Sequence, residues 1–222
     1  MATDTNTVRK SIKVPVIENL ETMSKESFES AMCESAACGS VDTVNWPGEF
    51  GYCPECSFRI ARSRRYLSVW FQVCGKDLRA TELQDNGRNW EDSCCEFFLA
   101  PCPEYYYNME INCIGSVLMA KGSGRGDRVQ VDPAKVAGII RHASLEHKLY
   151  DIQGGSHSWS VAILVPFELV GLDPENLPGS VACNFYKCGD GLKEPHYLTY
   201  APVNTPKPDY HRPEFFVPGH FE

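Results

Sequence analysis

Residues Trp90–Asn112 read W-E-D-S-C-C-E-F-F-L-A-P-C-P-E-Y-Y-Y-N-M-E-I-N, and their alternation predicts two strands joined by a Pro-containing turn. In the second arm Asn108, Glu110 and Asn112 alternate with Met109, Ile111 and Cys113. Side chains of a strand point alternately to its two faces, so one face is polar and the other apolar. In the first arm Cys94, Glu96 and Phe98 share a face opposite Cys95, Phe97 and Leu99. If the arms pair, Glu96 and Glu110 point the same way. A carboxylate-and-amide surface bordered by Trp90 and the Tyr105–Tyr107 run has the chemistry of a sugar site.

Working outward, the same period recurs. Residues 66–74 carry Leu67, Val69, Phe71 and Val73 on one face. Residues 159–165 carry Trp159, Val161, Ile163 and Val165, and residues 181–187 set Asn184 and Tyr186 against Cys183 and Phe185. Shorter strands are predicted at 56–60 and 115–121, and an edge strand at 8–17, where Pro15 is tolerated only on an edge. Residues 24–32 predict one helix, with Ser24 as N-cap and Glu26 and Glu29 near its positive end. The passage from Cys33 to Cys56 reads as a long loop, and Phe167–Val170 as a short helical turn. Many strands and one helix predict an all-β, single-domain antiparallel β-sandwich with a short N-terminal helix and long loops. Residues 1–35 form its N-terminal strand and helix and 36–222 the sandwich proper.

Composition narrows the function. The net charge of −8 argues against nucleic acid as the partner. The local run Arg59, Arg62, Arg64 and Arg65 reads as a solvated strand edge and turn. No stretch is long and apolar enough for a transmembrane helix, so membrane insertion is not expected. The first ten residues, M-A-T-D-T-N-T-V-R-K, do not read as a signal peptide, and the eleven cysteines are odd in number and scattered. Both favour a cytoplasmic location with free thiols, although an exported protein whose signal has been removed would read the same.

Three chemistries compete with sugar binding. Cys33, Cys38, Cys53 and Cys56 offer a zinc site of imperfect spacing. Glu96 and Glu110 offer the carboxylate pair of a glycan-active hydrolase. His196 or His211, with a Met, offers axial ligands for haem. For sugar, Trp46, Trp90, Tyr186, Tyr197, Tyr200 and Tyr210 are candidate platforms, and Glu96, Glu110, Asn112, Asn184 and Lys187 candidate polar contacts.

Five segments in order, W-E-D-S-C-C-E-F-F-L, Y-Y-Y-N-M-E-I-N-C-I-G-S, N-F-Y-K-C-G-D, P-H-Y-L-T-Y and D-Y-H-R-P-E-F-F, resemble carbohydrate-binding module family 9-like proteins. The likeness is to the short stand-alone bacterial members of Bacteroides-type organisms, and it runs from about Val44 to Glu222. The resemblance implies a β-sandwich related to DOMON domains and a non-catalytic role in carbohydrate catabolism, often beside glycosyl hydrolases. It also implies site residues. Trp90 matches the family's first sandwiching Trp, Glu96 its hydroxyl-binding Glu, and Asn112 a binding Asn. Glu110 falls where the family has Arg, Tyr186 where it has Gln, and Tyr210 where it has the second Trp. Calcium occurs in the family; here Asp127 and Asp190 are the candidate oxygen donors.

Overall fold

The computed structural model describes residues 10–222 and is a β-sandwich. In chain order its strands are β1 (Ile12–Val14), β2 (Ala37–Ser40), β3 (Thr43–Val44), β4 (Glu55–Arg62), β5 (Tyr66–Gly75), β6 (Leu78–Ala80), β7 (Cys94–Cys102) and β8 (Tyr105–Asn112). They continue as β9 (Val117–Gly122), β10 (Val129–Gln130), β11 (Ile140–Ala143), β12 (Tyr150–Ile152), β13 (His157–Pro166), β14 (Ser180–Cys188), β15 (Tyr197–Thr199) and β16 (Val217–Phe221). The larger sheet has the order β1-β16-β14-β7-β8-β9-β10, with β15 beside β14 and β3 beside β15; the smaller runs β11-β13-β5-β4-β2. Pairing is antiparallel within both sheets except for β1 with β16. A two-stranded ribbon, β6 with β12, stands apart.

The apolar faces read from the sequence are the ones that meet. Cys95, Phe97 and Leu99 of β7, Met109 and Ile111 of β8, and Cys183 and Phe185 of β14 face Phe58 and Ile60 of β4, with Val69 and Phe71 of β5 and Val161 and Ile163 of β13. At the centre Phe185 stacks on Phe58 across the two sheets, centroids 3.6 Å apart, and on Phe97 at 5.0 Å. Each such ring, taken wholly out of water, contributes ~1.5–3 kcal/mol.

Both outer faces are covered as well. On the smaller sheet sits α1 (Lys25–Ser35), whose Phe28 and Met32 pack on Trp70, Ala162 and Leu164. Its cap is the expected Ser24, which accepts from Ser27 N. On the larger sheet the cover is loop. Trp46, Val203 and Tyr210 lie over Cys94, Phe98, Tyr106, Tyr186 and Cys188. Trp46 Nε1 donates to Thr205 O at 2.7 Å and holds the two covering loops together.

Some expectations need correction. The opening strand is only Ile12–Val14, with residues 8 and 9 of the expected strand outside the described part. The passage 33–56 is not all loop, because β2 and β3 lie in it and extend the two sheets. Among the arginines, Arg64 pairs with Glu175 and Arg65 with Glu168 at the exposed surface.

Candidate functional site

The outer face of the larger sheet carries a row of directly opposed residues: Tyr186, Glu96, Glu110 and Leu118 on β14, β7, β8 and β9. Above this row opens a cavity of about 640 Å³, lined by Trp90, Phe50, Tyr197, Tyr210 and His211 and by the charged side chains of Arg125, Arg128 and Asp190. Glu96 and Glu110 form part of its floor, only 3% and 4% exposed.

Two buried braces position Trp90, which sits half-buried in a single helical turn, Asn89–Glu91. Asn89 Nδ2 donates to the carbonyls of Glu110 and Ser116, at 3.0 and 2.9 Å. Asp92, wholly buried, accepts from Thr81 N and Oγ1, Glu82 N and Asn112 Nδ2. Asp190 N donates to Trp90 O and Gly191 N to Glu91 O, tying the turn after β14 to the Trp90 turn. The Arg side is built by the glycine-rich hairpin after β9. Asp127 accepts from Ser123 N, Ser123 Oγ and Gly124 N. A Cβ on Gly122 would sit 2.8 Å from both Asp127 Oδ1 and Arg128 Cγ, so only glycine permits this tight return. The hairpin brings Arg128 Nη1 to 3.7 Å from Glu110 Oε1.

The electrostatics of the floor follow from burial. Taking a carboxylate out of water penalises its charged form. Burial, and next the Glu110 carboxyl, hold Glu96 well above the usual carboxylate range. Glu110 is pushed up to about 7 by burial, against the opposing pull of Arg128 and an Asn108 hydrogen bond. Asp190 is raised to about 6, again chiefly by burial. Asn108 Nδ2 donates to Glu110 Oε1 at 3.0 Å, whereas Glu110 Oε2 has no hydrogen-bond partner among the described residues.

The residues singled out from sequence fall into two groups. Trp90, Glu96, Glu110 and Tyr210 line the cavity together. Asn112, Asn184 and Tyr186 lie outside its wall, and their polar atoms are engaged internally. Asn112 Nδ2 donates to Glu82 O and Asp92 Oδ2 while its Oδ1 accepts from Ser116 N. Asn184 bonds both backbone groups of Ala201. The Tyr186 hydroxyl donates to Tyr210 O, and the two rings stack at 4.2 Å. Lys187 points the other way, its Nζ buried between Cys188 O and His196 Nε2. Arg125 and Arg128 escaped the sequence reading because a glycine-rich turn gives no face to its side chains. A basic residue immediately either side of Gly126-Asp127, following a strand that neighbours Glu110, was the available signal.

The alternative chemistries find little support in these positions. Among the described residues the one convergent set of His, Cys, Asp and Glu ligand atoms is Cys94, Glu96 and Cys188. The proposed zinc quartet therefore does not assemble: Cys33, Cys38 and Cys53 are exposed, and Cys56 is buried in the core. Nor do the residues fit calcium, which takes six to eight oxygens. Asp127 is consumed by its own turn, and the convergent set supplies two sulfurs. His211 Nδ1 lies 3.0 Å from the Tyr106 hydroxyl and its ring packs on Phe98, while His196 sits between Lys187 and Glu194 O. Met109 is in the core.

Comparison with known proteins shows the family. The family model described as carbohydrate-binding family 9 matches residues 26–221. A crystal structure of a Bacteroides uniformis protein proposed to bind carbohydrate superposes with a TM-score of 0.87 at 32% identity, covering 96% of this chain and 100% of that one. A family 9 module from Caldicellulosiruptor kristjanssonii in complex with glucose shares the fold at a TM-score of 0.55 and 9% identity, covering 96% of each chain. Its complex with cellotriose gives 0.52 at 10% identity, covering 96% of this chain and 94% of that one. No curated protein matches.

Proposed function

The chain belongs to carbohydrate-binding family 9, and from that premise we propose that it binds a mono- or oligosaccharide in the cavity over the larger sheet, without catalysis, in the service of carbohydrate catabolism. One observation carries the location. Glu110 Oε2 is a buried carboxylate oxygen on the cavity floor with no hydrogen-bond partner. Leaving such a group unsatisfied costs ~1–3 kcal/mol, which a ligand hydroxyl in the cavity recovers.

The roles follow from the chemistry of a pyranose. Trp90 supplies a ring face for the C–H-rich side of the sugar, and Tyr210 a second aromatic edge. Glu96 and Glu110 accept from hydroxyls, and Arg125 and Arg128 donate to ring or hydroxyl oxygens. Asn112, Asn184 and Tyr186 serve as the frame that holds these groups. The cysteines, all standing as thiols, support a reducing compartment such as the cytoplasm.

Calorimetry against a panel of soluble sugars tests the reading. Glucose and cellotriose, held by modules of the same fold, are the first probes. Binding that falls about tenfold or more in Trp90→Ala is the expected result. Absence of binding across a broad panel, or an affinity unaltered by Trp90→Ala, would sink it.

A further inference from the structure

Under the cavity lie two thiols that sugar binding does not require, beside Glu96, a carboxylate that the proposed sugar site shares. Cys94 and Cys188 oppose each other in register on β7 and β14. Glu96, two residues along β7, shares their face. One ligand atom from each lies within 4.8 Å of the other two. All three residues are at most 3% exposed, yet Cys188 and Glu96 also line the cavity.

We propose that Cys94, Cys188 and Glu96 form a binding site for a thiophilic divalent cation, zinc being the representative ion. Two sulfurs and one oxygen suit zinc and exclude calcium or magnesium, which demand oxygen. Tetrahedral zinc would set its sulfurs about 3.8 Å apart and each sulfur about 3.5 Å from the oxygen. The three ligand atoms already lie within 4.8 Å of one another. Cys188 Sγ already donates to Glu96 Oε1 at 3.0 Å, so the thiol proton occupies the ground a metal would take. Both thiol protons, and any proton on Glu96, leave as the dication enters. Three protein ligands leave a fourth position for water or for a ligand group entering from the cavity.

The rest of the cysteine inventory sharpens the assignment. Cys33, Cys38 and Cys53 are exposed and belong to no convergent set among the described residues. Cys95 and Cys113 are buried on the other side of the sheet, in the core. The β7 pair Cys94–Cys95 therefore splits into one sulfur for the site and one for packing.

The test uses reduced protein carrying Cys33→Ser, Cys38→Ser and Cys53→Ser, titrated with cobalt(II) and then zinc. One equivalent of cobalt, with thiolate-to-cobalt charge-transfer bands that zinc displaces, is the expected result. The bands should vanish in Cys188→Ala and in Cys94→Ala and persist in Cys113→Ala. X-ray absorption at the zinc edge, which needs no further variant, should find two sulfurs in the first shell. A folded protein without such bands, bands unchanged by Cys188→Ala, or a shell lacking sulfur would each overturn the assignment. No sugar enters the experiment, so its failure leaves the carbohydrate reading intact, and failure of sugar binding leaves the metal site standing.

Discussion

Glu96 and Glu110 stand directly opposite each other on adjacent strands, and each is nearly sealed from solvent. Like charges so placed are costly unless one is protonated, paired or met by a ligand. Among the described residues only Arg128, at 3.7 Å from Glu110, offers either of them an ion pair, and one oxygen of Glu110 has no partner. In the proposed function an incoming hydroxyl donor offsets that cost.

Trp90 and Asn112 separate binding from framing. Trp90 borders the cavity, while the Asn112 amide makes three internal hydrogen bonds from a fully buried position. Asn112→Ala should lower unfolding free energy by ~2–4 kcal/mol, because it strands Asp92 and Ser116 as well as removing the amide. Trp90→Ala should cost far less stability and more affinity. Urea denaturation beside calorimetry checks this, and a stable Asn112→Ala protein that no longer binds sugar would reverse the two roles.

Gly191 couples the turn after β14 to Trp90. A Cβ there would lie 2.6 Å from Glu91 O, a backbone atom that cannot swing aside. Gly191→Ala should therefore destabilise the fold by ~1–3 kcal/mol and displace both Asp190 and Trp90. Sugar affinity should fall with it; wild-type values for both quantities would show that the turn is not braced as described.

His211 supplies a pH dependence with a definite sign. Burial first, then Arg128 and Arg125, hold its pKa down at about 3. An unfolded His titrates near 6.5. Between these values the unfolded chain binds more protons, so the His211 contribution is complete above about 6.5 and is lost as pH falls towards 3. His211→Phe keeps a ring against Phe98 and removes the titration. The stability of wild type relative to this variant should decline from pH 7 to pH 4.5 in urea unfolding. A difference that stays constant would mean that His211 titrates in the fold as it does in the unfolded chain.

Phe185 tests the junction of the sheets. Its ring lies between Phe58 and Phe97, so Phe185→Ala should cost ~3–5 kcal/mol in thermal or urea unfolding. A loss below about 1 kcal/mol would be inconsistent with a close-packed centre there.

Much of this fold is legible in period-two alternation. The faces of β5, β7, β8, β13 and β14 are those that Leu67, Phe97, Met109, Val161 and Phe185 announce, because a one-residue slip would expose every apolar side chain. The hairpin that sets Glu96 against Glu110 is legible for the same reason. What the alternation cannot convey is that the polar face is itself covered. Trp46 and Tyr210 come from loops more than 150 residues apart and meet only through tertiary packing. Hence Asn112 reads as a surface amide when it is a buried brace. Asn89 and Asp92, whose hydrogen bonds set the angle of Trp90, have no periodic signature at all. Arg125 and Arg128 owe their place to the missing side chain of Gly122, where a Cβ would collide with Asp127 and Arg128. The pairing of Cys94 with Cys188 depends on strand order, which local sequence does not specify.

The most direct measurement is a crystal structure of the protein soaked with a sugar that calorimetry has shown to bind. The ring should lie against Trp90, with hydroxyls within hydrogen-bond distance of Glu96 and of the free oxygen of Glu110. A sugar bound elsewhere, with this cavity empty, would contradict the central claim.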